Sequence, residues 1–313
     1  MSILRGAAWR LLGAGTVLLG AATLAFAALQ LLPGDRVSRL LGPMTSASPA
    51  VREQISRDYG LDRPVIVQYA RYLADLGRGN LGTSYQLQQP VVSLIGKQLW
   101  PTVQLALAAL VLALLIAAVS AIATAGRRPR LRAAVSAVEL VAVSTPSFWM
   151  GILLLTVFSF RLRLFPVTGA EGPVSLVLPA LALALSIAGV LSQVLRDGLE
   201  TALAMPFVLT AQARGLSQTA VRLRHALRHA ALPLVTLTGW LMGTLLGGVV
   251  PIETVFGRPG LGTLILQAVT SGDMPVVMGL VLLSALVFVI VSTVVDLLYL
   301  AIDPRLRAGE AAV

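Results

Sequence analysis

An all-α polytopic membrane protein, with six transmembrane helices and a mixed helix-and-loop insertion after the first, is the fold class this sequence predicts. Three observations carry that expectation. The 313 residues are 57% hydrophobic and 12% charged, with a mean hydropathy of +0.85, whereas soluble domains run about half apolar and a quarter charged. Six apolar runs come close to the roughly 20 residues that a helix needs to cross about 30 Å of hydrocarbon. Arginines gather in the short segments between those runs, where membrane topology accounts for them.

The runs lie near residues 11–32, 100–125, 134–160, 174–194, 234–256 and 276–301. An even number of crossings puts both termini on one side. With the N-terminus inside, thirteen arginines fall on inner segments: Arg5, Arg10, Arg127, Arg128, Arg130, Arg132, Arg196, Arg214, Arg222, Arg224, Arg228, Arg305 and Arg307. The two short outer loops hold Arg161, Arg163 and Arg258. Basic excess marks the cytoplasmic side, so both termini are expected in the cytoplasm, beneath a plasma or inner membrane. The net charge of +10 is then topological, and nucleic-acid binding is not expected. Cysteine is absent, which removes disulfides, thiolate metal sites and cysteine nucleophiles.

Residues 1–32 read as a cytoplasmic N-terminus and first span. A cleavable signal is the alternative, suggested by MSILRGAAWR and the triplet Ala25, Phe26, Ala27; against it, the apolar run continues to Pro33, beyond a signal's usual core. Residues 33–99 form the extracytoplasmic insertion, with eight basic and five acidic residues. In it Ser48 and Pro49 predict the cap and first turn of a helix through about Arg57, VIVQYARYLADL has an amphipathic rhythm, and GRGNLGTSYQ reads as loop. The insertion would pack as a lid on the outer helix ends, meet an extracytoplasmic partner, or do both. Residues 100–301 form a five-helix core containing a polar cytoplasmic loop at 195–233, and 302–313 are a cytoplasmic tail.

That loop is the most distinctive stretch. ARGLSQTAVRLRHALRHAALP places four arginines and both histidines of the chain between apolar segments. After the break at Gly215 and Leu216, Ser217 predicts an N-cap, and Pro233 predicts the stop. Leu223, Ala226, Leu227, Ala230 and Ala231 share one helical face, with Arg222, Arg224, His225, Arg228 and His229 elsewhere. The residues alone allow a helix on anionic headgroups or a docking element for a cytoplasmic protein. Metal binding by His225 and His229 is disfavoured, since no carboxylate or thiol accompanies them and arginines repel a cation. Ala211, Ala213 and Gly215 permit close backbone approach. Gly239, Gly243 and Gly247, spaced four apart, let a neighbouring helix pack closely in lipid.

Charged residues within spans suggest function. Glu139 lies about 10 Å into its helix and is expected at the interface, facing a basic loop. Asp296 and Asp303, towards the inner end of the sixth helix, read as anchors. Glu253 follows Pro251, which is expected to disrupt the fifth helix, and precedes Phe256 and the glycine turn. Its carboxylate is expected to face a wet pathway, meeting a peptide's amino end or the subunit interface, or else to stabilise the turn. Gly239, Gly243, Gly247, Glu253 and Phe256 are thus the candidate pathway or gate residues.

The stretch TAQARGLSQTAVRLRHALRHAALP resembles the EAA loop of ABC importer permeases, in the longer form of the dipeptide, oligopeptide and nickel group. LLPGDRVSRLLG, YGLDRPVIVQYARYL, GNLGTSYQ, STPSFWMGILLL with LFPVTG, LVLPALALAL, ETVFGRPGLGTLI and VVDLLYLAIDPRLR resemble that family too, in order along nearly the whole chain. It departs at His229, where the family usually carries Asn, and at Arg258, where it carries an aromatic. The resemblance implies a type I importer permease fold and import of dipeptides or oligopeptides by alternating access, with nickel, glutathione or another small solute as alternatives. It implies a second homologous permease, two cytoplasmic ABC ATPase subunits and an extracytoplasmic substrate-binding protein. Ala211, Ala213, Arg214, Gly215, Leu216, Ser217, Arg222, Arg224, His225 and Arg228 would couple to an ATPase. No catalytic residue, metal or cofactor is expected on this chain. ATP and Mg would bind the partner subunits, in keeping with the lack of GxxxxGK[ST], since LIGKQ at 94–98 lacks the leading glycine and the hydroxyl residue.

Two other classes compete. An intramembrane hydrolase lacks HExxH, GxSxG or a paired Asp or Ser/His arrangement. An ATP-independent secondary transporter would leave the docking loop without a purpose and lacks evident discontinuous-helix repeats. Nickel is disfavoured as substrate, because no soft or imidazole cluster lies in a span or on the outer face.

Overall fold

The computed structural model describes residues 3–31, 37–38, 48–58, 60–126 and 129–302. The expectations for Arg127, Arg128, Asp303, Arg305, Arg307 and the tail lie outside the described residues, as do those for the side chains of Arg5 and Asp296. In chain order the helices are α1 (Ile3–Leu31), α2 (Pro49–Asp58), α3 (Val65–Gly77), α4 (Val91–Thr124), α5 (Pro129–Ser144) and α6 (Ser147–Leu154). There follow a π-helical turn (Leu155–Arg161), α7 (Val174–Leu203), α8 (Pro206–Ala213), α9 (Gln218–Val221) and a second π-helical turn (Arg222–Ala226). The last three helices are α10 (Leu227–Val255), α11 (Leu261–Thr270) and α12 (Met274–Ile302). Among the described residues extended pairing is limited to one bridge, Thr83 with Pro90.

Arg10–Leu31, Val91–Thr124, Val174–Leu203 and Met274–Val295 are each long and apolar enough to cross a bilayer. Two more crossings are bent: Pro129–Ser144 with Ser147–Arg161 at 105°, and Pro233–Gly243 with Gly247–Val255 at 60°. Counted as one span each, they bring the total among the described residues to six, at the six apolar runs. The sharper bend has a covalent cause. Pro146 holds φ −56° and ψ 137°, offers no N–H and pushes Thr145 out of helical backbone. Pro233 behaves differently, because α10 runs through it. Ala226, Ala230 and Leu241 are buried around it in sequence, and that packing outweighs the roughly 3 kcal/mol of one interior proline.

The chain divides into two compact units, residues 1–100 with 260–289 and residues 101–259 with 290–313. In the first, α1 meets α3 through Phe26, which stacks on Tyr72 at 5.7 Å and tilts against Tyr69 at 5.2 Å, while Thr23 Oγ1 lies 2.6 Å from Tyr69 Oη. Ser48 caps α2 as expected, its Oγ accepting from Val51 N at 3.4 Å. A core of Val91, Leu94, Ile95, Leu264, Ala268, Val276 and Leu280 joins α4, α11 and α12. Above it, residues 80–90 form a loop held by Asp273, whose carboxylate accepts from Ser84 Oγ at 2.5 Å, Tyr85 N at 3.0 Å and Gln86 N at 3.3 Å.

In the second unit α7 is the hub on which α5, α6 and α10 pack. Its core includes Leu178, Leu183, Ile187 and Leu191 of α7 with Leu241, Leu245 and Ile252 of α10. Along α4 and at the residue just past its end, Ala109, Ala113, Ala117, Ala121 and Ala125 are fully buried at every fourth position. This alanine stripe gives close helix packing in lipid without glycine. Sequence reasoning passed over it, because alanine is common in every apolar run of this chain.

Candidate functional site

The polar loop folds into an elbow. Pro206 opens α8, where its missing N–H costs nothing, and Gly215 turns the chain at φ +84°, a left-handed conformation that favours glycine. Ser217 caps α9 as predicted, its Oγ accepting from Ala220 N at 3.2 Å. Val208, Ala211 and Val221 form a small core of their own, with Phe207 and Leu216 against it. His229 stacks on Phe207 at 5.2 Å and His225 tilts against the same ring at 6.4 Å. The two histidines thus flank an aromatic ring, and no group of three or more metal-ligating residues occurs among the described residues.

The second π turn changes which residues face inward. A continuous helix from Ser217 would bury Leu223 with Ala226 and Ala230. Instead Leu223 is 48% exposed and Arg222 only 6%. A π turn closes i to i+5 and so inserts one residue, rotating the side chains before it by about 100° against those after it. Arg222 consequently points into the protein, where a first side-chain carbon on Gly126 would lie 3.5 Å from its Nη2. Ala213, Arg214, Gly215, Ser217, Arg224, His225 and Arg228 are left exposed together. At the far end of the elbow, Ala230 meets α7 so closely that a carbon on Gly198 would be 3.0 Å from its Cβ.

Next to the elbow the structure assembles a polar cluster that sequence reasoning missed. Arg196 of α7 donates from Nη2 to Glu139 Oε1 at 2.5 Å, from Nε to Thr124 at 2.7 Å and from Nη1 to Ser136 at 2.9 Å. Ser120 and Ser192 also donate to Glu139 Oε1. The Arg196 and Glu139 side chains are 3% and 8% exposed. Glu139 therefore does not face the basic loop as expected. It points sideways to α7, because two buried charges in an apolar bundle must pair. The available signal was the spacing: Ser120 and Thr124, Ser136 and Glu139, Ser192 and Arg196 stand three or four apart on three separate helices.

The expected pathway residues do not form one surface. Gly239 closely approaches α12, since a side-chain carbon there would lie 2.3 Å from Val295 Cγ2, whereas one at Gly243 or Gly247 would meet nothing within 4 Å. Glu253 is 1% and Phe256 3% exposed, so neither faces an open path. Pro251 does disrupt α10, whose halves meet at 60° between Gly243 and Gly247, one turn before it, but Glu253 stays on the packed face, where Thr102 Oγ1 donates to its Oε1 at 2.6 Å. In the turn that follows, Arg258 donates from Nη1 to Ser175 Oγ at 3.2 Å. Burial lowers the Arg258 guanidinium below its ordinary range, and the Glu253 charge opposes that.

Up to six apolar crossings among the described residues, three of the helices packed on a hub helix, and an exposed basic elbow define a polytopic transport-type membrane subunit. Residues 109–308 match the model of the binding-protein-dependent transport system inner membrane component family, and the chain belongs to that family. The glutathione transport system permease protein GsiC of Salmonella paratyphi A is 37% identical over 301 residues, covering 95% of this chain and 97% of that protein. GsiC of Escherichia coli O6:H1 is 36% identical over 299 residues, covering 95% and 97%. A Brucella abortus permease assigned to peptide transport is 36% identical over 300 residues, covering 93% of this chain and 95% of that protein. Among solved structures, the inward-facing MetNI methionine ABC transporter shares the fold at TM-score 0.55 and 19% identity, over 67% of this chain and 96% of that one. An amino acid ABC transporter aligns at TM-score 0.51 and 17% identity, over 66% and 94%.

Proposed function

We propose that this chain is the translocating subunit of an ATP-driven importer that carries small peptides into the cell, a class that includes the glutathione named for its relatives. The elbow is the observation that carries the coupling role. Its exposed edge runs from Ala213 to Ser217 and on to Arg224, His225 and Arg228; from Gln218 onward the chain is helical without a break into α10, and Ala226 and Ala230 pack into a core with Leu195 and Leu199 of α7. A load on that edge therefore reaches the hub helix directly. Two cytoplasmic ABC ATPase subunits, holding ATP and Mg, seat the elbow; a second homologous permease completes the path, and an extracytoplasmic binding protein delivers solute. Both termini are cytoplasmic, in line with the arginine distribution.

Purification of the tagged full-length chain from native membranes tests this. ABC ATPase subunits are expected to copurify, and Gly215→Val, which strains a left-handed position, is expected to release them while the second permease stays bound. Peptide uptake into vesicles by this chain alone, without ATPase subunits, would overturn the reading.

A further inference from the structure

We propose that the groove between α4, α5 and α7 binds an anionic glycerophospholipid, with one acyl chain in the groove and the phosphate at the arginines that open α5. The groove, of about 360 Å³, is lined by Ile116, Val135, Val138, Ala142, Leu185 and Ala188, with Ser120, Glu139 and Ser192 at its floor. Those three polar groups do not make it polar. They are hydrogen-bonded to one another and to Arg196, and Glu139 Oε2 is buried without a partner. What the groove offers to an occupant is carbon.

Along α5 it runs from Ala134 to Ala142, about 12 Å at 1.5 Å per residue. Lined by carbon over that length, it suits an extended hydrocarbon chain, and the charge one turn before it argues for a lipid over a helix of another subunit. α5 and α7 touch along its side: a side-chain carbon on Gly189 would lie 2.5 Å from Val143 Cγ2 and 2.8 Å from Glu139 O.

One turn before Ala134, the start of α5 carries positive charge. Arg130 is exposed and makes no ion pair among the described residues, and Leu131 is 45% exposed. Arg132 is 46% exposed while bound through Nη1 to both Glu200 oxygens. Basic residues at the surface end of an intramembrane slot suit a lipid phosphate, and the N-terminus of α5 adds its positive dipole end. Carbon over about 12 Å, with the exposed Arg130 and the half-exposed Arg132 in the turn before it, is the complement of an anionic phospholipid. The site requires a bilayer, which family membership supplies, and does not depend on the coupling role.

Native mass spectrometry of the full-length chain, equilibrated with equal palmitoyl-oleoyl phosphatidylglycerol and phosphatidylethanolamine, reads the preference. Phosphatidylglycerol is expected to be retained over the zwitterionic lipid, and Arg130→Gln to reduce that retention about fivefold, from roughly one surface cation's worth of attraction. In the wild-type chain, phosphatidylglycerol with a photoreactive acyl group is expected to label residues 131–142 and 185–192. Ala142→Phe, which fills the slot, should abolish that labelling. Equal retention of the two lipids, labelling confined to other faces, or a crosslink from position 138 to another protein chain would each overturn the proposal.

Discussion

Replacing Arg196 with methionine isolates the most concentrated interaction in the protein. The guanidinium makes hydrogen bonds to side chains on three helices: Thr124 and Ser120 on α4, Ser136 and Glu139 on α5, and Ser192 on its own helix. Methionine fills much the same space but leaves Glu139 charged, buried and served by two hydroxyls alone. Breaking a buried pair in this way costs about 3–5 kcal/mol. Glu139→Gln is a milder change. Its three donors all converge on Oε1, so an amide oxygen placed there keeps every bond and loses only the charge, at about 1.5–3 kcal/mol. The double variant removes both charges and should recover about 2 kcal/mol or more against the sum of the singles, because the unpaired carboxylate is gone. Reversible unfolding of the purified chain in mixed micelles, followed by circular dichroism against denaturing detergent, measures all three. A cost for Arg196→Met below about 1 kcal/mol, or additive singles, would show that the cluster is solvated and that the pairing argument is wrong.

Glycine substitutions should separate helix contacts that the sequence makes look alike. Gly189→Ala would press its new carbon against the backbone carbonyl of Glu139 at 2.8 Å, and is expected to destabilise the chain by at least about 1–3 kcal/mol. Gly243→Ala, with nothing within 4 Å, should be neutral in the isolated chain; equal effects in the same unfolding assay would refute the packing. Tyr72, in α3 of the insertion, is pushed from 10.0 up to about 12, first by burial and then by Tyr69. A tyrosine raised in the folded state contributes stability that is complete below pH 10.0 and is lost as pH rises through about 12. Ultraviolet tyrosinate titration should show a late step that Tyr72→Phe removes; a Tyr72 step near pH 10.0 would contradict its burial.

Legibility in the sequence followed the range of the interaction. Ser48 and Ser217 were readable as caps because a cap is settled within four residues. The bend at Pro146 and the orientation of Arg222 were not read. The first is local and was available from the proline, but the length of the apolar run masked it. The second depends on a π turn, a defect too short to alter any periodicity count. Pro233 misled because a proline's local cost is fixed, while the packing that offsets it comes from helices distant in sequence.

From the sequence alone came the number of spans, the basic loop and the family, because apolar length, charge placement and motif order are properties of the chain as written. Tertiary structure decided the partners. It matched Glu139 to Arg196 and Glu253 to Thr102, and it set Gly239 against Val295 while leaving Gly243 and Gly247 open. Apolar lipid offers no preference among such pairings; the need to pair each buried charge and fill each gap between helices does. That need is satisfied only after the helices have come together, by residues up to 189 positions apart.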